Sequence, residues 1–281
     1  MVKIPFVAEV SSNHNRDLSR CLEFVDNAAA IGCAAVKFQL FKINELFAPE
    51  ILRKSANHRR RQEWELPVEF LPELSARCRQ LGMAFGCTPF YLKAVDELYD
   101  YVDFYKISSY ELLWSDLLTA CARTGKPVVI STGMADFGEV QCAVSTLQNA
   151  SCKNFTLLHC VSNYPTKPQD CHLGVMGRYR ESFGCAVGWS DHSVNPGVIQ
   201  RAINHWGAAM VEFHLDLDGR GAEFTGGHCW LPHQIQPLIE QVGAGLLADG
   251  SAEKIFSENE LKERDWRADP SDGLRPFKHL R

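Results

Sequence analysis

The stretch Ala34-Ala35-Val36-Lys37-Phe38-Gln39 reads as a buried strand that carries a cation and an amide toward its C-terminal end. A strand covered on both faces should be apolar throughout, so the lysine is the anomaly. Phe104-Tyr105-Lys106-Ile107-Ser108 repeats the arrangement further along the chain. Working outward, the strand-like runs are Phe6–Val10, Ala35–Gln39, Ala84–Cys87, Phe104–Ile107, Val128–Ser131, Phe155–His159, Ala186–Trp189 and Met210–His214. Amphipathic stretches such as Asp17–Ile31, Pro67–Leu81, Leu112–Arg123, Gly138–Gln148, Pro196–Trp206 and Pro232–Leu247 lie between them, the alternation expected of βα units. Polar residues collect at the same end of every run: Glu9 with Asn13-His14, Lys37 with Gln39, Thr88, Lys106 with Ser108-Ser109, Ser131-Thr132, His159, Ser190-Asp191-His192, and Glu212 with His214. In a (β/α)8 TIM barrel all eight such ends converge on the face that houses the active site. The expected architecture is therefore an α/β chain with one (β/α)8 barrel over residues 1–250, followed by a helical or irregular tail over 251–281. A doubly wound open sheet is the alternative.

The bulk properties agree. A length of 281 residues suits one barrel, which typically takes about 250. A net charge of −5 gives no reason to expect nucleic acid or an anionic membrane as partner, so attraction for an anionic substrate must be local. Met1-Val2-Lys3-Ile4-Pro5 shows no signal-peptide core, and no apolar run approaches the ~20 residues that span a bilayer. Eleven cysteines, an odd number with no CxxC pair, argue for buried thiols rather than a disulfide or zinc scaffold. The expectation is a reduced, cytoplasmic enzyme.

Lysine is almost never fully buried without a partner. Lys37 and Lys106 are therefore either neutralised by a carboxylate such as Glu9 or Glu111, or aimed at an anionic ligand with Thr88, Ser109, Ser131 and Ser190 donating hydrogen bonds. His192 and His214 end adjacent strands, where two imidazoles can approach one ion; Mn²⁺, Fe²⁺, Co²⁺ and Zn²⁺ all suit such a site. Glu9 reads either as a general base or as the ion-pair partner of Lys37, roles that need not exclude each other. His159 is expected to face the site, and His228 with Cys229 to line its mouth. The run Arg59-Arg60-Arg61 reads as a solvated loop face.

These residues together resemble the sialic acid (N-acetylneuraminate) synthase family and its nonulosonic-acid relatives, over about Phe6 to Val242. The similarity rests on Ala8-Glu9-Val10 with Asn13-His14-Asn15, Val36-Lys37-Phe38-Gln39, Thr88-Pro89-Phe90 and Tyr105-Lys106-Ile107-Ser108-Ser109-Tyr110-Glu111. It continues through Gly125-Lys126-Pro127, Ile130-Ser131-Thr132-Gly133-Met134, Leu158-His159-Cys160, Tyr164-Pro165, Gly188-Trp189-Ser190-Asp191-His192 and Glu212-Phe213-His214. The resemblance implies condensation of phosphoenolpyruvate with an aldose or hexosamine acceptor such as N-acetylmannosamine, in a homodimer. It implies a divalent ion on His192 and His214, commonly Mn²⁺, with Mg²⁺ or Co²⁺ as alternatives, which polarises the aldehyde. Phosphoenolpyruvate would lie among Lys37, Thr88, Lys106, Ser109, Ser131, Ser162 and Ser190. Glu9 would stand near the reacting carbons, and Gln39, Glu111 and Tyr164 would contact the sugar.

Two departures fall on the acceptor side. The polar tail is expected to carry no antifreeze-like domain, whose arginine enters the partner's site in relatives, and Arg264, Arg267 and Arg275 are the expected substitutes. Where relatives have Gly-Pro-Asp after the eighth strand, this chain reads Gly221-Ala222-Glu223-Phe224-Thr225-Gly226-Gly227-His228, with Glu223 the expected sugar contact. Two rival readings remain: a Schiff-base pyruvate aldolase using Lys106 or Lys37, and a non-catalytic barrel kept as a binding partner.

Overall fold

A computed structural model describes residues 4–281; Met1, Val2 and Lys3, the beginning of the stretch inspected for a leader, lie outside the described residues. Eight parallel strands close into a barrel: β1 (Phe6–Glu9), β2 (Ala35–Leu40), β3 (Ala84–Pro89), β4 (Phe104–Ile107), β5 (Val128–Ser131), β6 (Phe155–Cys160), β7 (Ala186–Asp191) and β8 (Val211–Leu215). Closure places Phe6 opposite Val211 and Glu9 opposite His214. A ninth strand that the sequence did not announce, β9 (Cys229–Trp230), pairs with β8 so that His214 stands opposite Cys229. The principal helices are α1 (Leu18–Ala30), α2 (Leu71–Gln80), α3 (Leu92–Leu98), α4 (Ser115–Arg123), α5 (Phe137–Asn149), α6 (Val175–Phe183), α7 (Pro196–Asn204) and α8 (Pro232–Ala248). The long β2–β3 connection folds into short helical turns ahead of α2.

Local chemistry accounts for the elements. Asp17 caps α1 by accepting from the amides of Ser19 and Arg20, and the helix buries Cys21, Phe24, Val25 and Ala28, one face at helical spacing. Asp136 and Glu139 form a reciprocal capping box at the start of α5.

The chain divides into a compact unit ending at Gly243 and a second unit, Ala244–Arg281. The second unit is organised by its own polar contacts: Asp269 accepts from the amides of Ser271 (2.9 Å) and Lys278 (2.7 Å), and Arg281 pairs with Asp272 at 2.6 Å. Arg264 and Arg267 lie over the rings of Phe256 and Phe277. Among the described residues no helix is long and apolar enough to cross a membrane.

Strand parity decides which polar residues reach the barrel interior. Val7, Ala35, Phe104, Val129 and Leu158 pack together with Ala84 and Met210 as one interior layer. Side chains on a strand alternate between faces, so the residues two positions onward also point inward: Glu9, Lys37, Lys106, Ser131, Cys160 and Glu212. Gly188 belongs to the same set. A Cβ there would strike the Met210 carbonyl and the Leu158 side chain, so only glycine lets β7 lie this close to β8.

Parity also corrects two expectations. His159 lies one residue off the inward series, and its ring packs between Tyr179 and Trp189 while Nε2 contacts the Cys171 carbonyl at 2.8 Å. It does not line the cavity at the C-terminal ends of the strands. Asp191 falls between the inward Ser190 and His192 and points the other way. It is completely buried, and its carboxylate accepts from Trp189 Nε1 (3.0 Å), Trp230 Nε1 (3.0 Å), Ser193 Oγ (2.6 Å) and the amides of Ser193 and Val194 (both 3.2 Å). It ties β7, β9 and the following loop together rather than binding substrate. Removing the acceptor leaves several buried donors unpartnered, each costing about 1–3 kcal/mol. Asp191→Ala is therefore expected to lower the urea-denaturation midpoint steeply, and a midpoint equal to wild type would return Asp191 to the binding site.

Candidate active site

The inward residues at the C-terminal ends of the strands line a cavity of about 660 Å³. Its floor is a four-charge cluster. Lys37 Nζ is ion-paired with Glu9, lies 4.0 Å from Glu212, and donates to Thr88 Oγ1 at 3.1 Å. Lys106 Nζ lies 3.5 Å from the other Glu212 oxygen and donates to the Ile107 carbonyl at 3.2 Å. Ser190 Oγ donates to Glu212 at 3.2 Å, and Gln39 Nε2 donates to Glu9 at 2.7 Å. All four charged side chains are almost wholly buried. Burial opposes the Glu212 carboxylate, but Lys106 and Lys37 overcome it and hold its pKa down to about 2. Burial likewise opposes Lys37, which Glu212 and Glu9 hold above its ordinary value. Burial dominates at Lys106, whose pKa is lowered. At Glu9 burial and the repulsion of Glu212 outweigh the attraction of Lys37, so its pKa is raised. The sequence reading offered Glu9 or Glu111 as partners for the lysines and overlooked Glu212, although its parity with Met210 and His214 marks it as inward.

Above this floor three histidines face one another. Ring centroids of His192 and His214 are 5.2 Å apart, those of His214 and His228 4.7 Å, and those of His192 and His228 6.3 Å. Glu223 Oε2 lies 3.4 Å from His214 Nδ1 and 3.6 Å from His228 Nε2, while Ser11 Oγ donates to Oε1 at 2.6 Å. The Tyr164 ring covers the cluster, 4.2 Å from the His192 ring and 4.8 Å from that of His228.

The loop that delivers Glu223 and His228 is pinned from below. Buried Asp216 accepts from the amides of Gly219 (2.7 Å) and Gly221 (3.3 Å) and pairs with Arg20 at 2.9 Å. Asn13 donates to the Leu215 carbonyl at 3.0 Å and accepts from the Glu223 amide at 2.8 Å. A Cβ at Gly221 would strike both Asp216 and Asn13, so the tight approach requires glycine.

Around the rim stand Gln39, Ser109, Glu111, Ser131 and Tyr164, all expected, together with Ser11, Phe47, Arg61 and Trp64, which were not. Arg59, Arg60 and Arg61 are exposed, as the solvated-face reading has it, and the Arg61 guanidinium also sits 5.6 Å from the Phe47 ring and 5.5 Å from that of Trp64 at the cavity wall. Thr88 and Ser162 do not line the cavity directly; Thr88 supports Lys37, and Ser162 Oγ is buried beside Gly133 without a hydrogen-bond partner. Ser131 Oγ is likewise buried and unpartnered.

The histidine cluster fits a divalent ion. His192 Nδ1 contacts the Val161 carbonyl at 2.8 Å, which fixes the tautomer and leaves Nε2 as the lone-pair nitrogen. Nδ1 of His214 is buried with the Glu223 carboxylate, 3.4 Å away, beside it. Burial, reinforced by the neighbouring histidines, lowers the His214 pKa to about 4, while imidazole and hydroxyl contacts hold Glu223 ionised against its own burial. A neutral His214 beside an ionised carboxylate is the state that metal binding demands. At His192 burial is outweighed by Cys160 and the Val161 carbonyl, which raise the pKa to about 9, so this imidazole must give up a proton to take an ion.

Residues 24–254 match the NeuB family. The chain is 37% identical to an uncharacterised protein of Methanocaldococcus jannaschii over 89% of this chain and 73% of that one. It is 31% identical to the N,N'-diacetyllegionaminic acid synthase of Campylobacter jejuni over 93% of this chain and 82% of that one. The N-acetylneuraminic acid synthetase of Leptospira borgpetersenii superposes with a TM-score of 0.81 at 26% identity, covering 93% of this chain and 90% of that one. A barrel whose inward strand ends carry two lysines, two glutamates and two histidines, matched over most of its length, belongs to the NeuB family.

Proposed function

We propose that the chain condenses phosphoenolpyruvate with a sugar aldehyde to give a 3-deoxy-2-ulosonic acid and phosphate. The observation that carries this reading is the pair of buried ammonium groups, Lys37 and Lys106, on the floor of a cavity whose rim holds the histidine–carboxylate cluster. A small substrate bearing both a carboxylate and a phosphate matches the floor, and an oxygen-rich acceptor matches the rim. A cavity of about 660 Å³ has room for both together. Relatives named as synthases of N-acetylneuraminic and legionaminic acids support a nine-carbon acidic sugar as the product class, with an N-acetylmannosamine-like aldose as acceptor.

In the reaction C3 of the enol attacks the aldehyde carbon, water adds at C2, and phosphate leaves with cleavage of the C–O bond. Lys37 and Lys106 hold the anionic groups, with Ser131 and Ser190 donating beside them. Glu9, buried and raised in pKa, sits where it can hold and return the proton moved at the reacting carbons. Gln39 fixes the Glu9 carboxyl through its amide. Glu111, Tyr164 and Arg61 face the acceptor. A divalent ion held by His192 and His214, Mn²⁺ with Mg²⁺ or Co²⁺ as alternatives, would supply Lewis-acid polarisation of the aldehyde. Phosphate release from phosphoenolpyruvate across a panel of aldoses, hexosamines and their phosphates tests the reading, and release with no acceptor would sink it.

One observation favours a second reading: burial lowers the pKa of Lys106, as an imine-forming amine requires. Borohydride reduction in the presence of pyruvate distinguishes the two, because only the aldolase would be trapped on Lys106 or Lys37.

Two further outcomes are expected. Lys37→Met and Lys106→Met should each weaken phosphoenolpyruvate binding by about 1.5–3 kcal/mol, roughly 10- to 150-fold, since each removes a charge-assisted contact; calorimetric titration at unchanged affinity would assign that lysine a purely structural role. At Glu111 burial raises the pKa to about 7, against the Ser108 hydroxyl and Lys106. A carboxyl raised above its ordinary value of about 4.5 contributes stability that is complete below that value and is lost as pH rises through about 7. Glu111→Gln should therefore flatten the fall in stability over this window, and melting temperatures that decline with pH as in wild type would exclude Glu111 as the group responsible.

A further inference from the structure

We infer that His228, carried by the loop between β8 and β9, is a third imidazole ligand of the ion, and that Glu223 supplies a carboxylate oxygen beside it. This rests on the metal-dependent reading above and extends it from two histidines to a three-histidine, one-carboxylate site. Donors held about 2.1 Å from an ion by tetrahedral or octahedral geometry lie roughly 3.0–3.4 Å from one another. Glu223 Oε2 stands 3.4 Å from His214 Nδ1 and 3.6 Å from His228 Nε2, close to that spacing already. Nitrogens of His214 and His228 lie within 4.8 Å of each other.

His228 is only 7% exposed, and its Nδ1 has no hydrogen-bond partner. Leaving a buried ring nitrogen without a partner is costly unless the ring has another task. Its surroundings are built rather than incidental. Strand β9 sets Cys229 opposite His214, fixing the neighbouring His228, and the Asn13 and Asp216 contacts hold the preceding turn. Cys229 Sγ lies within the same 4.8 Å reach and accepts a weak hydrogen bond from the Asn13 amide at 3.5 Å. The Tyr164 ring lies against both His192 and His228, so one aromatic face shields two of the three imidazoles.

The consequence is selectivity. Added imidazole nitrogens favour later first-row ions over Mg²⁺, which prefers oxygen donors and retains several waters. The full-length protein should bind Co²⁺ far more tightly than Mg²⁺ in calorimetric titrations. His228→Gln, which keeps the loop filled, should lower Co²⁺ affinity at least about 10- to 100-fold and change the visible absorption of the Co²⁺ protein. The proton spectrum of wild-type Co²⁺ protein should show three hyperfine-shifted imidazole N–H signals, a readout that needs no variant. Two such signals, or a His228→Gln variant with wild-type affinity and absorption while His214→Ala loses the ion, would overturn the third ligand and leave the two-histidine reading intact. Wild-type protein that takes up no Co²⁺ or Mn²⁺ would overturn both.

Discussion

Two ammonium groups buried at the floor of a barrel cannot stand alone, because removing an ion from water costs several kcal/mol unless a counter-charge is in place. Here Glu9 and Glu212 supply that counter-charge, and Glu212 reaches both lysines at once. The cluster depends on exact register. Glu9 pairs with Lys37 across β1 and β2 and stands opposite His214 across β1 and β8, so the same closure that seals the barrel assembles the charges. The cations are held in place before any ligand arrives, a preorganised field of the kind that stabilises developing charge most effectively.

The rim is constructed differently. Its chemistry comes from a loop, and loops position side chains poorly unless their backbone is tied down. The ties come from the opposite end of the chain. Asn13, Ser11 and Arg20, all within or just after the first β–α connection, bind the Glu223 amide, the Glu223 carboxylate and Asp216. The first and last units of the barrel are neighbours only because the barrel closes, so the fold brings the two ends of the sequence together to brace one loop. Asp191 adds a third tie through the Trp230 indole and thereby sets β9, which carries the end of that loop.

The sequence by itself determined the barrel, the end at which its chemistry lies, and the floor of the site. Continuous apolar strands broken only at their C-terminal ends by Glu9, Lys37, Lys106, Ser131, Ser190, His192 and His214 admit few architectures, and burial of lysine demands carboxylates nearby. Parity was also legible in principle. Stepping by two from Leu158 and from Ser190 excludes His159 and Asp191 from the interior, and stepping by two from Met210 includes Glu212, a count that residue type alone obscured. Tertiary structure alone decided the rim. No local pattern relates Asn13 to Glu223, or Arg61 to a cavity formed mainly by other strands, because those meetings depend on barrel closure and on how the long β2–β3 connection folds back. Nor could spacing place His228 beside His214, since the distance between them is set by the two-residue pairing of β9 with β8, and a strand that short leaves almost no periodic signal.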